Sequence, residues 1–142
     1  MIALRGIRAL AVAKTKDSGD WELLGLLTFL DPPRPDTKET LRQASEMGVE
    51  VKMITGDHLL IAVETAKMLD LGDEVAGSTI VVPQIQNADN LPTLDQVGPD
   101  MVARYGDIIL QGHGFAQVFP EHKYLIVKCL RDMGYKVGMT GK

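Results

Sequence analysis

Thr55, Gly56 and Asp57 follow directly on an apolar run, Val49, Val51, Met53 and Ile54, and precede a segment with helical spacing of apolar residues. A hydroxyl, a turn without a Cβ and a helix N-terminus then fall at one point, which is how a fold grips a phosphate. Thr55 has an O–H to donate to a phosphoryl oxygen. Gly56 lets the backbone bend and approach closely. Asp57 is placed to cap the new helix. The same three residues also suit any strand–turn–helix corner, so the chemistry depends on what other strand ends bring to the spot.

Two further segments are candidates. Lys123 stands just after Phe119-Pro120, where proline at a first helical position starts a helix. Thr140 and Gly141 follow a strand expected over 136–139. In a parallel α/β sheet, ligands lie beyond the C-terminal strand ends. Thr55-Gly56-Asp57, the region of Lys123 and Thr140-Gly141 would converge there.

The elements that must position these groups follow from pattern. A strand over 2–14, turn residues at 16–20 and a strand over 21–30 open the chain. The run 23–30 is apolar enough to predict a buried strand. It is far shorter than the roughly 20 residues that cross a bilayer as a helix. Asp31-Pro32-Pro33-Arg34-Pro35 ends it, as either an interdomain hinge or a rigid turn. A helix opens at Asp36 with Glu39 in capping-box spacing, shows Leu41, Ala44 and Met47 on one face and stops at Gly48. A strand over 49–54 and a helix over 58–71 follow, the helix carrying Leu59, Ala62, Ala66 and Leu69 and ending at Gly72. Residues 73–112 read poorly: a short strand over 78–82 and an amphipathic turn near 93–103. Strand 115–119, a helix from Pro120 burying Tyr124, Val127 and Leu130, and a strand over 136–139 complete the order. Alternating strands and helices predict an α/β fold with a parallel sheet and right-handed crossovers.

Composition narrows the function classes. The 142 residues are 45% hydrophobic and 24% charged, ordinary for one globular domain. A net charge of −4 with scattered Lys and Arg argues against a nucleic-acid binder. The single Cys129 forms no internal disulfide and reads as a small buried hydrophobe. His58, His113 and His122 are isolated, without metal-site spacing, and His113 between two glycines reads as an exposed loop residue.

Four segments in order carry a resemblance: Asp31-Pro32-Pro33-Arg34; Val51-Lys52-Met53-Ile54-Thr55-Gly56-Asp57; Val118-Phe119-Pro120-Glu121-His122-Lys123; and Val137-Gly138-Met139-Thr140-Gly141. Together they resemble the cytoplasmic part of P-type cation-transporting ATPases, and most of all plasma-membrane proton ATPases. The resemblance implies a haloacid-dehalogenase-like, Rossmann-type phosphorylation domain over 23–142, incomplete, preceded by the last strand of a nucleotide-binding domain over 1–22. It implies a hinge at Asp31, Pro32, Pro33 and Arg34. It assigns the transferred phosphate to Thr55 and Gly56, phosphoryl charge neutralisation to Lys123, and nucleotide or phosphate contacts to Arg8, Asp57, Thr140 and Gly141. Gln117 stands where some members carry arginine.

The resemblance further implies ATP and Mg2+ for the full-length pump, with the transmembrane, actuator and nucleotide-binding domains as partners and a cytoplasmic position within an integral plasma-membrane protein. The family's nucleophile segment, Asp-Lys-Thr-Gly-Thr, does not occur in the sequence, and Lys142 stands where the family has a magnesium-binding aspartate. The expectation is therefore a partial catalytic domain, without metal ligands and inactive alone, with a frayed N-terminus over 1–20. A receiver-like or other doubly wound interaction module is the alternative.

Overall fold

A computed structural model describes residues 7–76 and 78–141. Strand β1 (Arg8–Thr15) pairs antiparallel with β2 (Trp21–Phe29), from Arg8 opposite Phe29 to Thr15 opposite Trp21, with a bulge after Val12. The part of the expected frayed segment that is described, from Arg8 onward, is thus an ordered strand and turn. β2 also runs across residue 22, so the ribbon is one unit from 8 to 29.

The apolar run 23–30 is a strand, but it is not buried. Leu23, Leu24, Leu26, Leu27, Phe29 and Leu30 are all exposed, Leu23 at 65%. The strand alternates its side chains between two faces, and a two-stranded ribbon covers neither.

Residues 31–36 lead from the ribbon into helix α1 (Thr37–Glu46). Asp36 occupies the N-cap without a side-chain bond, contrary to the capping-box expectation, because Glu39 turns instead to Arg42 and Gln43. The Arg42 guanidinium holds the Glu39 carboxyl down at about 2. Gly48, at φ +75°, closes the helix: its N–H reaches the Ser45 carbonyl and that of Val49 reaches Ala44. Leu41 and Ala44 are half-buried, but Met47 is exposed.

Strand β3 is only Met53–Ile54, at the end of the expected strand 49–54. Helix α2 (Leu59–Met68) buries Ala62 and Ala66. It ends before Gly72, because Asp70 takes the left-handed position at φ +54° and the Leu71 N–H returns to the Ala66 carbonyl. Gly72 serves a different need: a Cβ there would stand 2.7 Å from the Pro83 nitrogen.

The poorly legible stretch holds most of the surprises. β4 (Asp73–Glu74) pairs antiparallel with β5 (Val81–Val82), and β6 (Ile85–Asn87) joins the parallel sheet. Two 3-10 turns, Ala88–Asn90 and Leu94–Gln96, lead to helix α3 (Met101–Gln111). His113 is half-buried and not an exposed loop residue: its N–H donates to the Gln84 carbonyl and its Nδ1 accepts from the Gln84 N–H.

Strand β7 (Gly114–Ala116) lies between β3 and β6, giving the parallel order β3-β7-β6. Helix α4 (Pro120–Asp132) starts on proline as expected. Its buried face is His122, Leu125, Ile126, Cys129 and Leu130, while Tyr124 is exposed; the apolar stripe is rotated from the one expected. Residues 136–139 form no strand, and among the described residues no strand pairs with them.

The core gathers Met101 and Ile109 of α3, Phe115 of β7, Val118, and Leu125, Ile126, Cys129 and Leu130 of α4. Gly106 allows α3 and α4 to close on each other, since a Cβ there would lie 3.3 Å from the Met133 sulfur. Burial raises the Cys129 thiol pKa, which keeps it protonated and inert.

Truncating Phe115 or Leu125 to alanine is expected to lower stability by about 2–5 kcal/mol in a urea titration, through lost transfer energy and a residual cavity. Leu24→Ala in the exposed ribbon is expected to stay within about 0.5 kcal/mol. Equal losses at the two places would contradict the placement of the core.

Candidate phosphate-binding site

The corner after β3 is fixed by backbone bonds to the segment after β7. The Thr55 N–H donates to the Phe115 carbonyl at 2.9 Å, the Gln117 N–H to the Asp57 carbonyl at 2.9 Å, and the Val118 N–H to the Thr55 carbonyl at 3.0 Å. Both strands are parallel neighbours, so both chains leave the sheet at the same end. Gly56 is the exposed apex, where an added Cβ would meet only the Val118 carbonyl, at 3.6 Å.

Inside the turn, the Asp57 N–H donates to Thr55 Oγ1 at 3.1 Å. The hydroxyl oxygen is thereby used as an acceptor and its hydrogen remains free to donate outward. Among the described residues the Gly56 N–H donates to no protein group. A hydroxyl and a backbone amide, both unspent and adjacent, are suitable donors for an anionic oxygen.

Asp57 does not cap α2. His58 does, its Nδ1 accepting from the Leu60 N–H at 3.4 Å, and its φ and ψ are extended as an N-cap requires. The Asp57 carboxylate instead meets the Arg8 guanidinium at the base of the β1–β2 ribbon. Arg8 and Asp57 are thus brought together at the corner.

Lys123, Thr140 and Gly141 come together elsewhere, along one groove of about 1050 Å3 that begins beside the corner at Ile54. It is lined by residues 48–52 and Ile54, by residues 135–141, and by Lys123, Ile126 and Leu130 of α4. The edge of β3 turned away from β7 pairs with no strand among the described residues. Lys123 is half-buried and makes no ion pair among the described residues. The structure therefore assembles the sequence candidates as two adjoining groups that meet at Ile54 and Thr55.

Asp31, Pro32, Pro33 and Arg34 stand apart from both groups, linking β2 to α1; the Arg34 carbonyl accepts from the Thr37 N–H. Neither the Asp31 nor the Arg34 side chain forms a hydrogen bond or ion pair among the described residues. No cluster of three His, Cys, Asp or Glu side chains suited to a metal occurs there either.

Sequence reasoning missed Lys52 as a structural anchor. Its side chain is 11% exposed, and Nζ donates to the carbonyls of Leu110 and Gly112, binding the end of α3 to the strand that leads into the corner. A cation at a helix C-terminus also opposes the helix dipole. The signal available in sequence was a lysine alternating with Glu50 among the apolar residues of the run 49–54.

A parallel sheet of order β3-β7-β6 with flanking helices, and a strand–turn–helix corner at the end of β3, defines an α/β fold. Residues 3–94 match the family described as haloacid dehalogenase-like hydrolase, and the chain belongs to that family. Among curated proteins it is similar to probable proton ATPase 1A of Leishmania donovani, 54% identical over 99% of this chain and 14% of that protein. It is also similar to a plasma membrane ATPase of Dunaliella bioculata, 46% identical over 98% of this chain and 12% of the relative. Plasma membrane ATPase 1 of Saccharomyces cerevisiae is 42% identical over 99% of this chain and 14% of the yeast protein. The chain thus spans 12–14% of the length of these relatives. Among the described residues no helix is long and apolar enough to cross a membrane.

Arg8 is exposed and Asp57 is half-buried at the surface, so their pair belongs to the weak class of surface ion pairs. A double-mutant cycle of Arg8→Gln and Asp57→Asn, read by urea unfolding, is expected to give a coupling of up to about 1 kcal/mol at low salt. In 1 M NaCl, where the screening length is about 3 Å, the coupling should fall toward zero. A coupling unchanged by salt would contradict a simple surface pair.

Proposed function

We propose that this chain is the phosphate-holding part of the phosphorylation domain of an ATP-driven cation pump, a proton pump of the plasma membrane, facing the cytoplasm. The observation that carries the reading is the corner itself. Thr55 and Gly56 present an unspent hydroxyl and amide, and the groove beginning beside them leads to Lys123, Thr140 and Gly141. The names of the relatives, proton ATPase and plasma membrane ATPase, support the identity of the pump.

Phosphoryl transfer asks a protein mainly for positioning and charge stabilisation. Thr55 donates its hydroxyl and Gly56 its N–H to non-bridging oxygens of the group in flight. Lys123 supplies a positive charge from the wall of the adjoining groove, while the exposed ends at Thr140 and Gly141 complete the rim. Arg8 enters on the ribbon and binds nucleotide phosphates in competition with Asp57, which supports the nucleotide once Arg8 has turned to it. The groove beside β3 receives further polypeptide of the same pump.

In this reading the nucleophilic aspartate and the Mg2+ ligands come from further residues of the full-length pump, since the segment Asp-Lys-Thr-Gly-Thr does not occur in the sequence. The chain by itself is accordingly without ATP turnover. Its partners are ATP and the remaining domains of the pump. The ribbon 8–29 goes with the nucleotide-binding domain, which moves the domain boundary from residue 22 to the proline segment 31–35, the hinge.

The direct test is a chimera in which residues 1–142 replace the matching segment of the yeast plasma membrane ATPase 1. ATP hydrolysis by the chimera is expected, with Thr55→Ala and Lys123→Ala each lowering kcat by about 10²-fold, the cost of removing one transition-state donor. Thr55→Ser, which keeps the hydroxyl, should retain most of the rate. An active chimera indifferent to both alanine substitutions would overturn the assignment. ATP turnover by the 142-residue chain alone, lost in Thr55→Ala, would overturn its incompetence in isolation.

A further inference from the structure

Gln117 is one of only two non-glycine residues with positive φ among the described residues, at +57°. Glycine meets that conformation without strain, so a glutamine there calls for a use of its side chain. Its backbone N–H is the donor that fixes the Asp57 carbonyl, and the next N–H, of Val118, fixes that of Thr55. Two of the three backbone bonds that fix the corner thus come from Gln117 and the residue that follows it.

The Gln117 side chain is held in turn by Asn87, the last residue of β6. Asn87 Nδ2 donates to Gln117 Oε1 at 2.7 Å, and Asn87 Oδ1 accepts from the Asp89 N–H at 3.1 Å. A backbone N–H can only donate, so Asp89 fixes which end of the Asn87 amide faces Gln117, and that end fixes which end of the Gln117 amide answers it. The register, Asn87 opposite Ala116, brings the two amides together at the end of the sheet. The brace therefore connects the 3-10 turn Ala88–Asn90, in the part of the chain least legible from sequence, to the corner after β3.

We propose that Asn87 and Gln117 are positioning residues for the phosphate corner: their amide pair keeps Gln117 left-handed and its N–H aimed at the Asp57 carbonyl. This sets the direction of the Gly56 N–H and the Thr55 hydroxyl. The proposal deepens the phosphate-holding reading and rests on it.

Amide hydrogen exchange and orthophosphate titration of the 142-residue chain, both followed by NMR, test it. In Gln117→Met, which matches the side chain in size but lacks the acceptor, exchange at the Gln117 and Val118 amides is expected to rise about fivefold while amides of α4 are unchanged. Asn87→Ala should do the same, and the double substitution should add little to either single one. Gln117→Glu keeps an acceptor for Asn87 and should restore the exchange of the original chain. Orthophosphate affinity, read at the Gly56 amide, should weaken several-fold in Gln117→Met and Asn87→Ala. Unchanged exchange in Gln117→Met, or a Gln117→Gly chain matching the original in exchange and affinity, would overturn the proposal. If the original chain binds no orthophosphate, the phosphate reading fails at that point, while the exchange measurements still decide whether the brace holds the corner.

Discussion

The interlock between residues 55–57 and 115–118 is the constraint on which the rest depends. Its three bonds are all backbone to backbone, so they specify a chain path and no particular side chains. What the sequence must supply is everything that keeps β7 in place. Phe115 is fully buried against Ile109 and Leu125, and the pair α3–α4 closes over it through the opening left at Gly106. Lys52 binds the same helix end to the strand that enters the corner. The core thus acts on the site through β7: it fixes the strand, and the strand fixes the turn.

Much of this was legible. The corner residues, the proline start of α4, Gly48 as a helix end and the parallel sheet follow from local patterns that the tertiary structure keeps. Failures came where a local pattern lacked the neighbour it implied. The run 23–30 has the composition of a strand covered on both faces, and among the described residues its one strand partner is β1. Residues 136–139 were expected as a strand, and no described strand pairs with them. Glu39 has the spacing of a capping box, but the nearer Arg42 takes it. The stripe that places Tyr124 in the core of α4 lies one position off the real one. Helix α3 was hidden because Gly106 interrupts its pattern, and that glycine is present for helix–helix approach.

The candidate site was legible as a set of residues and much less so as geometry. No spacing rule predicts that Arg8 and Asp57 meet, or that His58 rather than Asp57 caps α2. The most useful unforeseen residues, Lys52, Asn87 and Gln117, act through carbonyls and amides that only the fold brings near them. The uncovered surfaces are equally informative. The ribbon 8–29 is apolar on both faces, and among the described residues one edge of β3 pairs with no strand, so both expose surface that isolated sheets ordinarily cover.

The parallel pairing of Met53 with Gly114 also has a consequence in time. The two strands are separated by about sixty residues of chain, and the entropy of closing such a loop must be met before the pairing returns any stability. The helix pair α3–α4, by contrast, is joined by a short strand and turn. During folding the helical hairpin around Phe115 is therefore the early structure, and the corner at Thr55 is completed late, when β3 docks onto a finished β7.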